Sequence, residues 1–150
     1  MMDTLALNAD SLGVTEYTNF PFTQFVNVAG KTYGLTDDGL YELSGDDDAG
    51  TPIEASIKHG IMDLGIDGDK RALRVMLESK QNDPLTVSVY TERNGEITKV
   101  AYTSIPTGGT QFTQLARGVR GSGVSVEVAN VEGGELTITG MDMIVVPIVR

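Results

Sequence analysis

Between Thr51 and Arg150, apolar and polar residues alternate in short runs. Leu85, Val87 and Val89 alternate with Thr86, Ser88 and Tyr90, and Val124, Val126 and Val128 with Ser125, Glu127 and Ala129. Leu73, Val75 and Leu77 stand against Arg74, Met76 and Glu78, and Ile53, Ala55 and Ile57 against Glu54, Ser56 and Lys58. A period of two puts successive side chains on opposite faces, so each run predicts a strand that buries its apolar set. Turn chemistry separates the runs: Asn82-Asp83-Pro84, Arg93-Asn94-Gly95, Pro106–Gly109 and Glu132-Gly133-Gly134. The last of these predicts a hairpin into Glu135–Thr139, with Leu136 and Ile138 inward. Met143–Val149 is more continuously apolar, and Pro147, which cannot donate to a ladder, assigns it to an edge. Helical periodicity is scarce. Its best candidate is Thr113–Val119, interrupted by Gly118. Roughly seven or eight strands with turn signals every 8–12 residues predict an all-β chain, an antiparallel β-sandwich of jelly-roll-like character over residues 51–150.

The first 50 residues follow another pattern. Phe22–Val28, Lys31–Leu35 and Leu40–Leu43 are short strand candidates joined by Ala29-Gly30 and Asp37-Asp38-Gly39, both suited to tight turns. Gly45–Gly50, with Asp46, Asp47 and Asp48 in succession, predicts an exposed linker. Residues 1–50 therefore form an N-terminal extended or β-hairpin segment, like one edge of a propeller blade. A propeller needs several blades of roughly 40–50 residues each, for which the chain has no room. Three or four short strands do not bury a core unaided, so this segment has to pack either on the chain's own sandwich or on another subunit. Six of the nine aromatic residues fall here: Tyr17, Phe20, Phe22, Phe25, Tyr33 and Tyr41. Aromatic side chains anchor interfaces as well as cores, which makes these six candidates for a subunit contact.

Charge sharpens the division. The net charge is −10; residues 1–57 hold ten acids and one base, Lys31, whereas residues 58–150 hold eleven acids and ten bases. An acidic surface repels phosphate, so nucleic-acid binding is disfavoured. The absence of cysteine excludes a disulfide framework and thiolate metal sites. No segment approaches the roughly 20 apolar residues of a membrane-spanning helix. The opening MMDTLALNADSLG lacks the basic start and apolar run of a leader, so no membrane partner is expected.

Catalytic signals are few. His59 is the only histidine. It shares parity with Ile53, Ala55 and Ile57, which suits a hydrogen-bonded structural residue better than a catalyst lacking partners. Thr107-Gly108-Gly109-Thr110 lacks the Lys-Ser/Thr of a phosphate loop. Asp46, Asp47 and Asp48 offer hard oxygen ligands, but adjacent residues of an extended chain point in opposite directions, so a solvated acidic linker is the better reading. Arg117 and Arg120 flank Gly118 and could grip a carboxylate, or could neutralise the chain's own acids. Both join the interface candidates. No catalytic, cofactor or metal site is expected.

Val14–Gly60 (VTEYTNFPFTQFVNVAGKTYGLTDDGLYELSGDDDAGTPIEASIKHG) resembles a block of virion structural proteins of tailed bacteriophages. Leu115–Leu136 and Met143–Arg150 resemble that family's ending, in which a Gly-Arg-Gly loop, a strand, an Asn-Val-acid-Gly turn and a Val-Pro strand follow one another. The chain departs from the pattern at Ala116, where relatives carry Gly, and at Ser122-Gly123, where they carry aromatics. The resemblance implies a non-enzymatic part of a tail, neck or baseplate. Such a part would be assembled in a bacterial cytoplasm as a homo-oligomer among other virion proteins. The alternative is a carbohydrate-binding sandwich that touches a host surface, with Tyr90 and Tyr102 as the stacking candidates.

Overall fold

The structure is a computed structural model that describes residues 4–7, 14–17, 21–45, 47–48, 50–104 and 109–148. Among these residues all regular structure is β, and every strand pair is antiparallel. The all-β expectation is met without any helix. Thr113–Val119 is the end of a strand followed by a loop, and it is the loop that buries Leu115 and Val119. The chain divides into two compact units, Met1–Gly45 and Asp46–Arg150.

In the first unit β1 (Thr4–Leu7) pairs with β2 (Val14–Tyr17). A separate meander follows, β3 (Gln24–Val28), β4 (Lys31–Leu35) and β5 (Leu40–Glu42). The β3–β4 turn is Ala29-Gly30, with φ of 52° and 82°, the left-handed pair that matches the twist of a two-residue hairpin. At the β4–β5 turn the Thr36 hydroxyl accepts the N–H groups of Asp38 (3.1 Å) and Gly39 (3.2 Å).

The second unit opens with a small hairpin, β6 (Asp47–Asp48) and β7 (Thr51–Pro52), where the sequence suggested a plain linker. Asp47 Oδ1 accepts the N–H of Gly50 at 2.9 Å, which closes that turn. The remaining strands are β8 (Ser56–Lys58), β9 (Lys70–Ser79), β10 (Leu85–Arg93), β11 (Glu96–Ser104), β12 (Gly109–Gln114), β13 (Arg120–Gly121), β14 (Gly123–Asn130) and β15 (Ile138–Pro147). One sheet has the order β11-β10-β14-β8. In the other, β9 is central, with β15 along one side and β12 and β13 along the other. Pro147 ends an edge strand, as its missing N–H requires.

The two sheets share one core. Ala72, Val75 and Leu77 of β9, Leu85, Val87 and Val89 of β10, and Val126 and Val128 of β14 form a single cluster with Leu115 and Val119. Burial of a Val or Leu contributes about 1.5–3 kcal/mol each, so this cluster is the main source of the unit's stability. At the rim, Tyr102 packs against the cluster from β11, and its hydroxyl accepts the Ala116 N–H at 3.0 Å, tying one sheet's edge strand to the loop that leaves the other.

Five local expectations are corrected, the first being Ser88 of β10, expected outward but only 2% exposed. Leu73 is only half-buried, while Ala72 beside it is fully buried, because the β15 register skips a residue between Ile144↔Arg74 and Val145↔Ala72. That bulge shifts the alternation by one, so even positions face the core before it and odd positions after it. Ser125, expected outward, is fully buried; the segment from β8 to Met62 runs alongside it, and the Ser125 hydroxyl donates to the His59 carbonyl. Ile57 lies opposite Val128 on the core side but is 46% exposed, because β8 is an edge strand of three residues; Ile53 is exposed as well. Glu132-Gly133-Gly134 does not make a hairpin. β14 belongs to one sheet and β15 to the other, and the crossing is held by Asn130, which donates to the carbonyls of Ile53 (2.8 Å) and Gly134 (3.0 Å).

Candidate interaction surface

The meander β3–β5 has two faces, and cross-strand partners share a face. One carries the row Phe25, Gly34, Tyr41. Gly34 supplies a gap, and the ring of Phe22 fills it so closely that a Cβ at Gly34 would collide with that ring. Phe22 then meets Phe25 and Tyr41 edge-on, with centroids 6.0 Å away in both cases and interplanar angles of 60° and 62°. This is the favoured aromatic geometry. The opposite face carries Val26, Val28, Tyr33, Leu35 and Leu40, with Lys31 and Glu42 paired across it at 2.9 Å. Hydrogen bonds from Lys31 and then from the Ser44 hydroxyl hold the Glu42 carboxyl below the usual carboxylate range.

Both faces expose apolar side chains, beside Asn27 and Thr32 on the first and Gln24, Lys31 and Glu42 on the second. Phe25 is 54% exposed on one, and Val28 and Leu40 are 54% and 61% exposed on the other. Sheets that read as apolar on both sides are normally covered on both sides. Contiguous exposed apolar surface marks an interaction site.

Of the interface candidates, Phe22, Phe25 and Tyr41 come together here, with Phe22 half-buried as the hub. Tyr33 is half-buried on the opposite face, and Tyr17 is 42% exposed in β2. Phe20 lies outside the described residues. Arg117 and Arg120 are exposed in the second unit, and among the described residues no ion pair joins either to an acid. Sequence reasoning on aromatics missed Val26, Val28 and Leu40. The available signal was the adjacency of Phe25 and Val26, two neighbouring apolar residues in a strand, which places one on each face.

His59 and the cluster around Tyr90 are engaged in structure. The His59 ring bonds through Nδ1 to the Gly60 carbonyl at 2.8 Å, while its Nε2 accepts the Val126 N–H at 3.1 Å. On the outer face of the β11-β10-β14-β8 sheet, the Tyr90 hydroxyl donates to Glu127, and Lys99 Nζ lies 3.2 Å from the same carboxylate. The ammonium of Lys58 sits 3.8 Å from the Tyr90 ring centroid and that of Lys99 5.2 Å from it. The phenol first, and Lys99 second, hold Glu127 below the usual carboxylate range, while Tyr90 and then Glu127 raise the Lys99 ammonium. With two ammonium groups packed on it, Tyr90 is a poor platform for a sugar ring, and Tyr102 is turned toward the core. Asp63 and Glu92 line an open groove of about 690 Å³, but no group of three metal-ligating side chains gathers there or elsewhere among the described residues. No family model, curated protein or solved structure matches this chain.

Proposed function

We propose that this chain is a non-enzymatic structural component of a larger assembly, a tail, neck or baseplate part of a tailed-phage virion, which makes subunit contacts through the unit Met1–Gly45. The observation that carries this reading is the meander β3–β5, which exposes large apolar side chains on both of its faces. A sheet of three to five residues per strand gains little from its own packing, so covering both faces is the natural source of its order. The second unit, with one continuous core, is the rigid body that carries it. The virion setting rests on the resemblance of Val14–Gly60 and of the chain's ending, and on this exposed surface.

The test uses Phe25→Asp and Leu40→Asp. Both positions are exposed, so the unfolding of the second unit is expected to stay unchanged. In purified tailed particles that contain the chain, visualised with a gold-labelled antibody, either variant is expected to be missing. Wild-type incorporation of both variants, or wild-type chain that never accompanies particles, contradicts the reading.

A further inference from the structure

The two sheets of the second unit present four edges, and three are blunted in ways that oppose edge-to-edge pairing. β15 carries two register shifts and ends in Pro147. β8 is three residues long, and β12 stops at Gln114, after which the chain turns in to bury Leu115. β11 has none of these devices. Its nine residues pair with β10 in one unbroken register, from Glu96↔Arg93 to Ser104↔Leu85, with no bulge and no proline. The residue best placed to guard this edge is Lys99, and it is turned away. Its partner Glu127 stands on β14, beyond β10, so the ammonium is drawn back across the sheet, and among the described residues no strand pairs with the outer side of β11.

We propose that β11 pairs antiparallel with β11 of a second copy of this chain about a two-fold axis, joining the two sheets into one. The geometry fixes the register. The β10–β11 turn is Asn94-Gly95, with φ of 53° and 81°, so the hairpin closes on the hydrogen-bonded pair Arg93 and Glu96. Hydrogen bonding alternates along the ladder, so the backbone groups of Ile97, Lys99, Ala101 and Thr103 point away from β10. A two-fold axis normal to the sheet keeps each face continuous, so facing residues share parity. Centring on Val100 sets Lys99 opposite Ala101, Ile97 opposite Thr103 and Glu96 opposite Ser104. Every outward residue is engaged and no like charges face each other. Centring on Lys99 would oppose two lysines, which is destabilising. Exposure fits this register: Ile97 is 60% exposed, and the small Ala101 is exposed where the partner's Lys99 would stand. This contact does not depend on the meander of the first unit.

The chain has no cysteine, so Val100→Cys introduces a single thiol. In the proposed pairing the two copies of residue 100 face each other as a non-hydrogen-bonded pair about 4.5 Å apart at Cα, within disulfide reach. Mild oxidation of the full chain is expected to give a covalent dimer with Val100→Cys and not with Thr98→Cys, whose copies stand four residues out of register. In sedimentation, Ala101→Lys, which opposes Lys99, is expected to weaken the dimer by about tenfold or more, and Ala101→Glu to hold or tighten it. Equal cross-linking of the two cysteine variants, or equal behaviour of the two Ala101 variants, overturns the register. A chain still monomeric at on the order of 100 μM overturns the dimer. Failure of the first-unit reading would move none of these outcomes.

Discussion

The imidazole of His59 stands in for a strand: its Nε2 accepts the N–H of Val126 at 3.1 Å, while its own backbone N–H donates to the Val126 carbonyl at 3.3 Å. β8 ends at Lys58, yet β14 keeps its hydrogen bonds one residue further because a side chain completes the ladder. This arrangement needs the ring neutral with its proton on Nδ1, facing the Gly60 carbonyl. His59→Ala leaves the N–H of the fully buried Val126 without an acceptor, at a cost of about 1–3 kcal/mol. Urea denaturation checks this. A midpoint equal to the parent's would show that the imidazole bond adds nothing.

Gly34 is the second position where one atom decides the outcome. Phe22 occupies the space a side chain would need, so Gly34→Ala must push the ring out from between Phe25 and Tyr41. The expected cost is that of overpacking, about 1–3 kcal/mol, borne by the first unit alone. Proton NMR of the aromatic rings is expected to lose the Phe22 contacts while the methyl signals of the Val87, Val89 and Val126 core stay in place. Unchanged ring contacts would mean that the meander packs some other way.

Lys70 is fully buried, and its ammonium donates to the Ser122 carbonyl with no acid paired to it among the described residues. It occupies the core-facing parity that the β9 bulge sets, which a sequence pattern would give to an apolar residue. Replacing a buried charge by an apolar side chain of similar length is often neutral or stabilising. Lys70→Met is therefore expected to raise the urea midpoint or leave it unchanged. A loss beyond about 1 kcal/mol would show that the Ser122 bond outweighs the desolvation of the charge.

The Tyr90, Lys99 and Glu127 cluster gives stability a pH dependence with a definite sign. Glu127 titrates below its ordinary range in the folded chain, so its contribution is present above that range and lost as pH falls through the folded value. Lys99 titrates above its ordinary range, so its contribution is present below that range and lost as pH rises through the folded value. Glu127→Gln is expected to flatten part of the acid limb of a stability–pH curve and to shift the alkaline limb slightly. Both effects are small, since the Lys99 side chain is 51% exposed. An acid limb identical to the parent's would remove Glu127 from the account.

Much of the fold was legible because central strands have complete faces. Val87, Val89, Val126 and Val128 are core residues in β10 and β14 as their alternation predicts, each strand being paired on both sides, although Ser88 and Ser125 beside them are buried too. The pattern failed where a strand meets an edge or an irregularity. Ile57 alternates correctly, but β8 is the last strand of its sheet and the apolar side chain stays open. Leu73 was misplaced because a bulge leaves no mark on hydropathy. The Glu132-Gly133 turn announced a reversal without saying which sheet receives the next strand. In the candidate surface the aromatic hub was legible from composition. The Val and Leu face was not, because the same residues in a larger sheet would be read as core.

The central claim is that the meander β3–β5 depends on surface supplied from outside itself. Amide hydrogen exchange in the dilute chain, and again in the assembled particle, tests it most directly. Exchange of residues 22–43 is expected to be orders of magnitude faster than that of β9 and β10 in the dilute chain, and to slow sharply on assembly. Protection of 22–43 equal to that of β9 and β10 in the dilute monomer would contradict it.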